Sequence, residues 1–94
     1  MRNYEVIFII HPELDETAST ALIEKVQGWI TGAGGTVEKT DVWGKRTMAY
    51  SIRKQREGNY VYMQVAMPPA FVNELSTNLR LTEPVLRYLI TAIG

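Results

Sequence analysis

The sequence contains no cysteine. That excludes disulfides, thiolate metal sites and thiol nucleophiles, and it agrees with a reducing compartment such as the cytoplasm. Histidine is almost as scarce. His11 stands alone and precedes Pro12, a turn context with no nucleophile or carboxylate arranged beside it. Ser19, Ser51 and Ser76 have no evident His/Asp company. Glu13, Asp15 and Glu16 cluster at a helix start, where carboxylates are stabilised by the helix dipole. Gly32-Ala33-Gly34-Gly35 follows a helical pattern, whereas a phosphate-cradling loop precedes one. No carboxylate or histidine spacing converges on a metal. The expectation is a protein without catalytic residues, metal, cofactor or small-molecule substrate. No apolar run approaches the roughly 20 residues of a membrane helix, and the first residues run straight into a strand pattern rather than a signal peptide. No membrane partner is expected.

Net charge is also lacking. Ten basic residues balance ten acidic ones, which argues weakly against an anionic partner until their positions are read. Residues 1–41 hold seven acids and three bases. Residues 42–58 hold Lys45, Arg46, Arg53, Lys54 and Arg56 against Glu57 alone. Half of the positive charge thus falls in 17 residues. A local field of this kind can serve an anionic partner although the total cancels. A solvated, lysine- and arginine-guarded hairpin has the same composition.

What is present is a patterned chain of 94 residues, enough for one core and one domain spanning 1–94. Tyr4, Val6, Phe8 and Ile10 alternate with Asn3, Glu5, Ile7 and Ile9, a strand apolar enough to be central. Asp15 is placed to cap a helix in which Ala18, Leu22, Val26, Trp29 and Ala33 recur every three or four residues, widened by Ile23 and Ile30. Gly32, Gly34 and Gly35 stop it. A second extended region covers Thr36 to Arg53, with Gly44 inside it either as a bulge in one bent strand or as a hairpin turn at Gly44-Lys45. Lys54 to Asn59 reads as a polar turn, and Tyr60 to Met67 as a strand. Pro68-Pro69 opens a second helix with Phe71, Val72, Leu75 and Leu79 on its core side. Val85 to Ile93 follows Glu83-Pro84 as a last strand.

The order β-α-β-β-α-β defines the α+β ferredoxin-like split sandwich, a four-stranded antiparallel sheet with two helices on one face. Tyr4, Val6, Phe8, Val61, Met63, Val65 and Met67 are expected to face the helices. Glu5, Ile7, Ile9, Tyr60, Tyr62 and Gln64 then lie on a face that nothing covers, and such apolar-aromatic patches mark interaction sites. An RNA recognition motif has the same strand order and stacks bases on aromatics of its central strands. The stretch Arg56-Glu57-Gly58-Asn59-Tyr60-Val61-Tyr62-Met63 fits that signature only at Arg56, Tyr60 and Val61. Gly58 occupies the first stacking position, and the first strand offers Ile7 and Ile9 instead of aromatics. Tyr60 and Tyr62 therefore suit a protein contact, being large and stiff with a polar tip.

The run Gly44-Lys45-Arg46-Thr47-Met48-Ala49-Tyr50-Ser51-Ile52-Arg53 resembles the signature of the ribosomal small-subunit protein six family: a glycine, a basic residue two on, then leucine-alanine-tyrosine-x-isoleucine-basic. Met48 stands where leucine is usual, a volume-conserving exchange. Arg2-Asn3-Tyr4-Glu5, Gly58-Asn59-Tyr60-Val61-Tyr62, Leu79-Arg80 and Pro84-Val85-Leu86-Arg87 are similar to the family as well, so the resemblance runs through the chain in order. It implies the split sandwich, a cytoplasmic, ribosome-associated structural protein, and binding to the central domain of small-subunit ribosomal RNA as a heterodimer with small-subunit protein eighteen. On that resemblance and the local charge, Arg2, Arg53, Lys54, Arg56, Arg80 and Arg87 are expected to contact RNA. Trp43, Arg46, Met48, Tyr50, Tyr60 and Tyr62 are expected to include the protein-partner surface. A small-ligand regulatory module of the same fold is the alternative, and it would need a cleft with convergent polar groups.

Overall fold

A computed structural model describes residues 1–93. Strand β1, Arg2–Ile10, buries Tyr4, Val6, Phe8 and Ile10 on one side, as its alternation requires. Helix α1, Glu16–Gly32, begins where the Asp15 carboxylate accepts the Ala18 N–H at 2.7 Å. It presses Leu22, Ile23, Val26 and Ile30 onto the sheet. Its end is a Schellman motif. Gly34, at φ 87°, lets the Gly34 N–H reach the Thr31 carbonyl (3.0 Å) and the Gly35 N–H reach the Ile30 carbonyl (2.9 Å).

Strand β2, Thr36–Ile52, is continuous through Gly44. The register with β3 shifts between Val42 and Gly44, and Gly44 has φ 84°. Gly44 is therefore a bulge and not a hairpin turn. The turn lies further on and is tighter than the polar loop expected over Lys54 to Asn59. Ile52 pairs with Gln55, leaving Arg53 and Lys54 as a two-residue connection with φ 49° and 65°. Two positive φ values are the requirement of the hairpin turn whose twist matches the flanking strands. Strand β3 accordingly starts at Gln55 and runs to Met67. Patterning missed its first residues because Gln55, Arg56 and Glu57 are polar on both sides, in a ribbon that projects beyond β1.

A 3₁₀ turn, Pro69–Phe71, leads into helix α2, Val72–Leu81, which buries Leu75 and Leu79. Strand β4, Val85–Ala92, completes the sheet in the order β2-β3-β1-β4, with every neighbouring pair antiparallel. This is the expected split sandwich. The main core lies between sheet and helices, with Val6, Phe8, Met63, Val65, Met67, Leu75 and Leu79 fully buried. Gly35 lies where α1 hands over to β2, so close to β3 that a Cβ would stand 2.7 Å from the Ala66 carbonyl oxygen.

Candidate functional site

The sheet face turned away from the helices is organised in cross-strand rows. Ile7 lies between Tyr62 and Leu89, and Ile9 between Tyr60 and Arg87. Cross-strand neighbours on one face stand close enough to interact directly. The Tyr62 hydroxyl donates to Glu5 Oε2 at 2.5 Å. That hydrogen bond first, and then desolvation and the charges of Glu5 and Asp41, raises the Tyr62 phenol above its ordinary 10.0. The Tyr62 ring stacks on Trp43 with centroids 5.5 Å apart and planes 8° from parallel. The Arg46 guanidinium lies 5.3 Å from the Trp43 ring centre. The result is a layered assembly of carboxylate, phenol, indole and guanidinium, fixed from β1 through β3 to β2. Trp43 remains 42% exposed, so the assembly presents aromatic surface to solvent, and Tyr50, 59% exposed, adds a separate aromatic beside Arg87.

Two of the expected surface residues do not lie open. Ile9 and Met48 are each 7% exposed and form a second small apolar cluster with Leu86, flanked by Ile52 and Tyr60. Met48, taken as a partner contact, is covered because the end of the β2–β3 hairpin folds over the sheet. Ile9 is covered by the same fold, at Gly58. Pairwise alternation says which face a residue takes, but not whether a distant ribbon crosses that face.

The six expected RNA-contacting cations divide into three groups. Arg53, Arg80 and Arg87 converge on a surface groove of about 550 Å³ that also includes Leu81, Glu83 and Leu86. Lys54 and Arg56 are exposed at the hairpin tip. Arg2 lies at the other end of β1. It is seven residues from Ile9, the β1 partner of Arg87, hence about 23 Å away along the strand. Arg53 is not free: Nη1 donates to the Glu83 carbonyl at 3.0 Å and Nη2 to the Val85 carbonyl. Arg87 Nη1 donates to the Tyr50 hydroxyl. Sequence reading missed the contribution of Glu5 and Leu86. The signal for Glu5 was its outward position beside the tyrosine strand.

His11 occupies a turn, its Nδ1 accepting the Glu13 N–H at 3.1 Å. Among the described residues no group of three or more His, Asp or Glu side chains could hold a metal, and no helix is long and apolar enough to cross a membrane.

With this geometry in hand, comparison with known proteins is decisive for the family. The family model for ribosomal protein S6 matches residues 3–92. The chain belongs to the ribosomal protein S6 family. It is 48% identical to the small ribosomal subunit protein bS6 of Moorella thermoacetica over 99% of this chain and 95% of that protein. It is 46% identical to the bS6 protein of Exiguobacterium sibiricum, covering 97% and 96% respectively. The crystal structure of 30S ribosomal protein S6 from Thermotoga maritima superposes with a TM-score of 0.93 at 30% identity, covering 98% of this chain and 87% of that one. A chemotaxis kinase CheA P2 domain from Thermotoga maritima superposes with a TM-score of 0.66 at 17% identity, a likeness of fold alone. Membership of the S6 family makes the chain a small-subunit ribosomal protein, and RNA association and a role in translation follow from that identity.

Proposed function

We propose that this S6-family chain binds the central domain of small-subunit ribosomal RNA as a heterodimer with small-subunit protein eighteen, acting as a structural component without catalysis. The observation that carries this reading is the division of the open sheet face. One end holds the stacked Trp43–Tyr62 pair with its Glu5 and Arg46 neighbours. The other leads, past Arg87, to a groove at the β4 edge where Arg53 and Arg87 meet Arg80 of α2. Rigid, half-exposed aromatics suit a protein partner, and arginines around an open groove suit phosphates. A neutral chain with few phosphate contacts binds RNA weakly by itself, so the partner supplies the remaining affinity.

The test uses two double variants. Tyr60→Ala with Tyr62→Ala is expected to abolish heterodimer formation in size-exclusion chromatography while the circular dichroism spectrum is retained. A folded variant that still pairs normally refutes the partner surface. Arg2→Ala with Arg87→Ala is expected to lower the slope of log affinity against log salt by roughly one for each phosphate contact removed. An unchanged slope refutes the RNA assignment.

A further inference from the structure

The outer half of the β2–β3 hairpin is built differently from the rest of the sheet. β1 ends at Ile10, opposite Asn59. The arm from Arg46 to Glu57 therefore continues past the sheet as a two-stranded ribbon. Its ladder is interrupted: Thr47 pairs with Glu57 and Ile52 with Gln55, so Met48, Ala49, Tyr50 and Ser51 face Arg56 alone. Its turn places Arg53 and Lys54, neither of them glycine, in the left-handed region. A ribbon of this kind does not hold its shape unaided in water.

What holds it is a short set of contacts on the far side of the sheet. Arg53 donates to the main-chain carbonyls of Glu83 and Val85, just before and at the start of β4. Tyr50 accepts from Arg87 in β4. Met48 seats against Ile9 and Leu86. The pivot is Gly58, where the ribbon crosses so closely that a Cβ would stand 2.2 Å from Ile9 Cγ2. The arm thus spans from β3 across the sheet face to β4. It covers a cluster that shares no residue with the main core.

We infer that the arm is a latch, closed by Arg53 and Arg87 and opened when RNA phosphates take those two guanidiniums. In the closed state both donate to neutral oxygens of the chain itself. A phosphate oxygen is the stronger acceptor, and charge-assisted hydrogen bonds to it displace neutral ones. Binding therefore shifts the arm toward release, and an open arm presents Met48, Ile9 and Leu86 as new apolar surface. The linkage is reciprocal: whatever opens the arm strengthens RNA binding by the same factor. The opening step rests on the RNA reading above, whereas closure by Arg53 stands on the contacts alone.

Hydrogen exchange on the free chain tests closure. In Arg53→Ala the amides of residues 46–57 are expected to exchange roughly tenfold faster, the effect of losing charged hydrogen bonds, with β1 and α1 unchanged. Unchanged arm exchange, or a parallel rise throughout the chain, overturns the latch. Tyr50→Phe tests opening, because it removes only the hydroxyl that occupies Arg87. In a titration of the heterodimer with small-subunit protein eighteen against a central-domain fragment of small-subunit ribosomal RNA, it is expected to bind severalfold more tightly than the parent, because a competing closed state is lost. Equal or weaker binding overturns opening by RNA. If neither heterodimer binds the fragment, opening fails together with the RNA reading, and closure is still decided by Arg53→Ala.

Discussion

The two faces of this sheet are made from alternate residues of the same strands, yet they are stabilised in different ways. The helix side is a dry apolar core, with Val6, Phe8, Val61, Met63 and Val65 fully buried under Leu75, Leu79 and the α1 stripe. The opposite side holds its residues chiefly by specific directional contacts: a phenol on a carboxylate, an indole on a phenol, one guanidinium on two carbonyls. Burial of apolar area stabilises through many individually weak, non-directional contacts. Directional contacts contribute less each and fix positions more narrowly. One face therefore sets how stable the domain is, and the other sets where aromatic and cationic groups stand.

The largest expected effect comes from comparing neighbours in β1. Phe8→Ala removes a fully buried ring from the helix side and is expected to cost about 3–5 kcal/mol. Ile7→Ala alters the half-buried open face and is expected to cost about 1 kcal/mol, since the surrounding groove is already open to water. Urea denaturation of the two variants measures both. Equal losses would show that the open face is a second core and break the distinction.

Next come the two glycines at which chain segments approach most closely, one on each side. A Cβ at Gly35 meets the Ala66 carbonyl oxygen at 2.7 Å, which is backbone and has nowhere to go. A Cβ at Gly58 meets the Ile9 Cγ2 methyl at 2.2 Å, which belongs to a side chain. Each Gly→Ala variant is expected to lose about 1–3 kcal/mol, the usual cost of overpacking. The difference lies in rescue. Adding Ile9→Ala to Gly58→Ala is expected to restore part of the loss and the arm's contact with β4, as read by thermal unfolding. No single side-chain truncation relieves Gly35→Ala.

The helix side was almost wholly legible in the sequence, and the reason is physical. Alternation in β1 and β3, the three-to-four spacing of α1 and α2, the Asp15 cap and the glycine stop are all local signals that agree with one another. The family signature in Gly44 to Arg53 was legible too, and the S6 model match covers nearly the whole chain. The open face was legible only as a list of outward residues. Trp43 reaches Tyr62 through the bulge at Gly44, and local pattern left bulge and turn as alternatives there. Met48 is covered because its arm returns over Ile9 and Leu86, a contact between segments about 40 residues apart in the chain. Periodicity carries no information about such a return. The polar start of β3 carries no strand alternation because Arg56 and Glu57 are both exposed and the arm's apolar contacts come from Met48 and Ile52 of β2.

The arm's own turn gives a smaller effect of opposite sign. Lys54 sits at φ 65° with an exposed side chain. Lys54→Gly removes the left-handed penalty, partly offset by a more flexible unfolded chain, and is expected to stabilise by about 0.5 kcal/mol. Arg53→Gly removes the same kind of penalty at φ 49° together with the two tethers to Glu83 and Val85. It is expected to destabilise instead, and opposite signs at adjacent turn positions in chemical denaturation identify Arg53 as the contact that matters.

The smallest effect is the most specific to the open face. Tyr62→Phe deletes the hydroxyl that donates to Glu5 and leaves the ring on Trp43. The folded phenol is raised above 10.0, chiefly by that hydrogen bond. A folded value above the unfolded one means that the folded chain holds the proton more firmly. The stabilisation is therefore complete below pH 10 and is lost as pH rises through the folded value. The parent is expected to exceed Tyr62→Phe in stability by a small, constant margin at neutral pH, and that margin is expected to shrink in alkaline solution. Parallel denaturation of the two proteins across pH measures the margin, with the other four tyrosines cancelling in the difference. A margin that stays constant into alkali would mean that Glu5 does not hold the phenol, and that the Trp43–Tyr62 stack is positioned by packing alone.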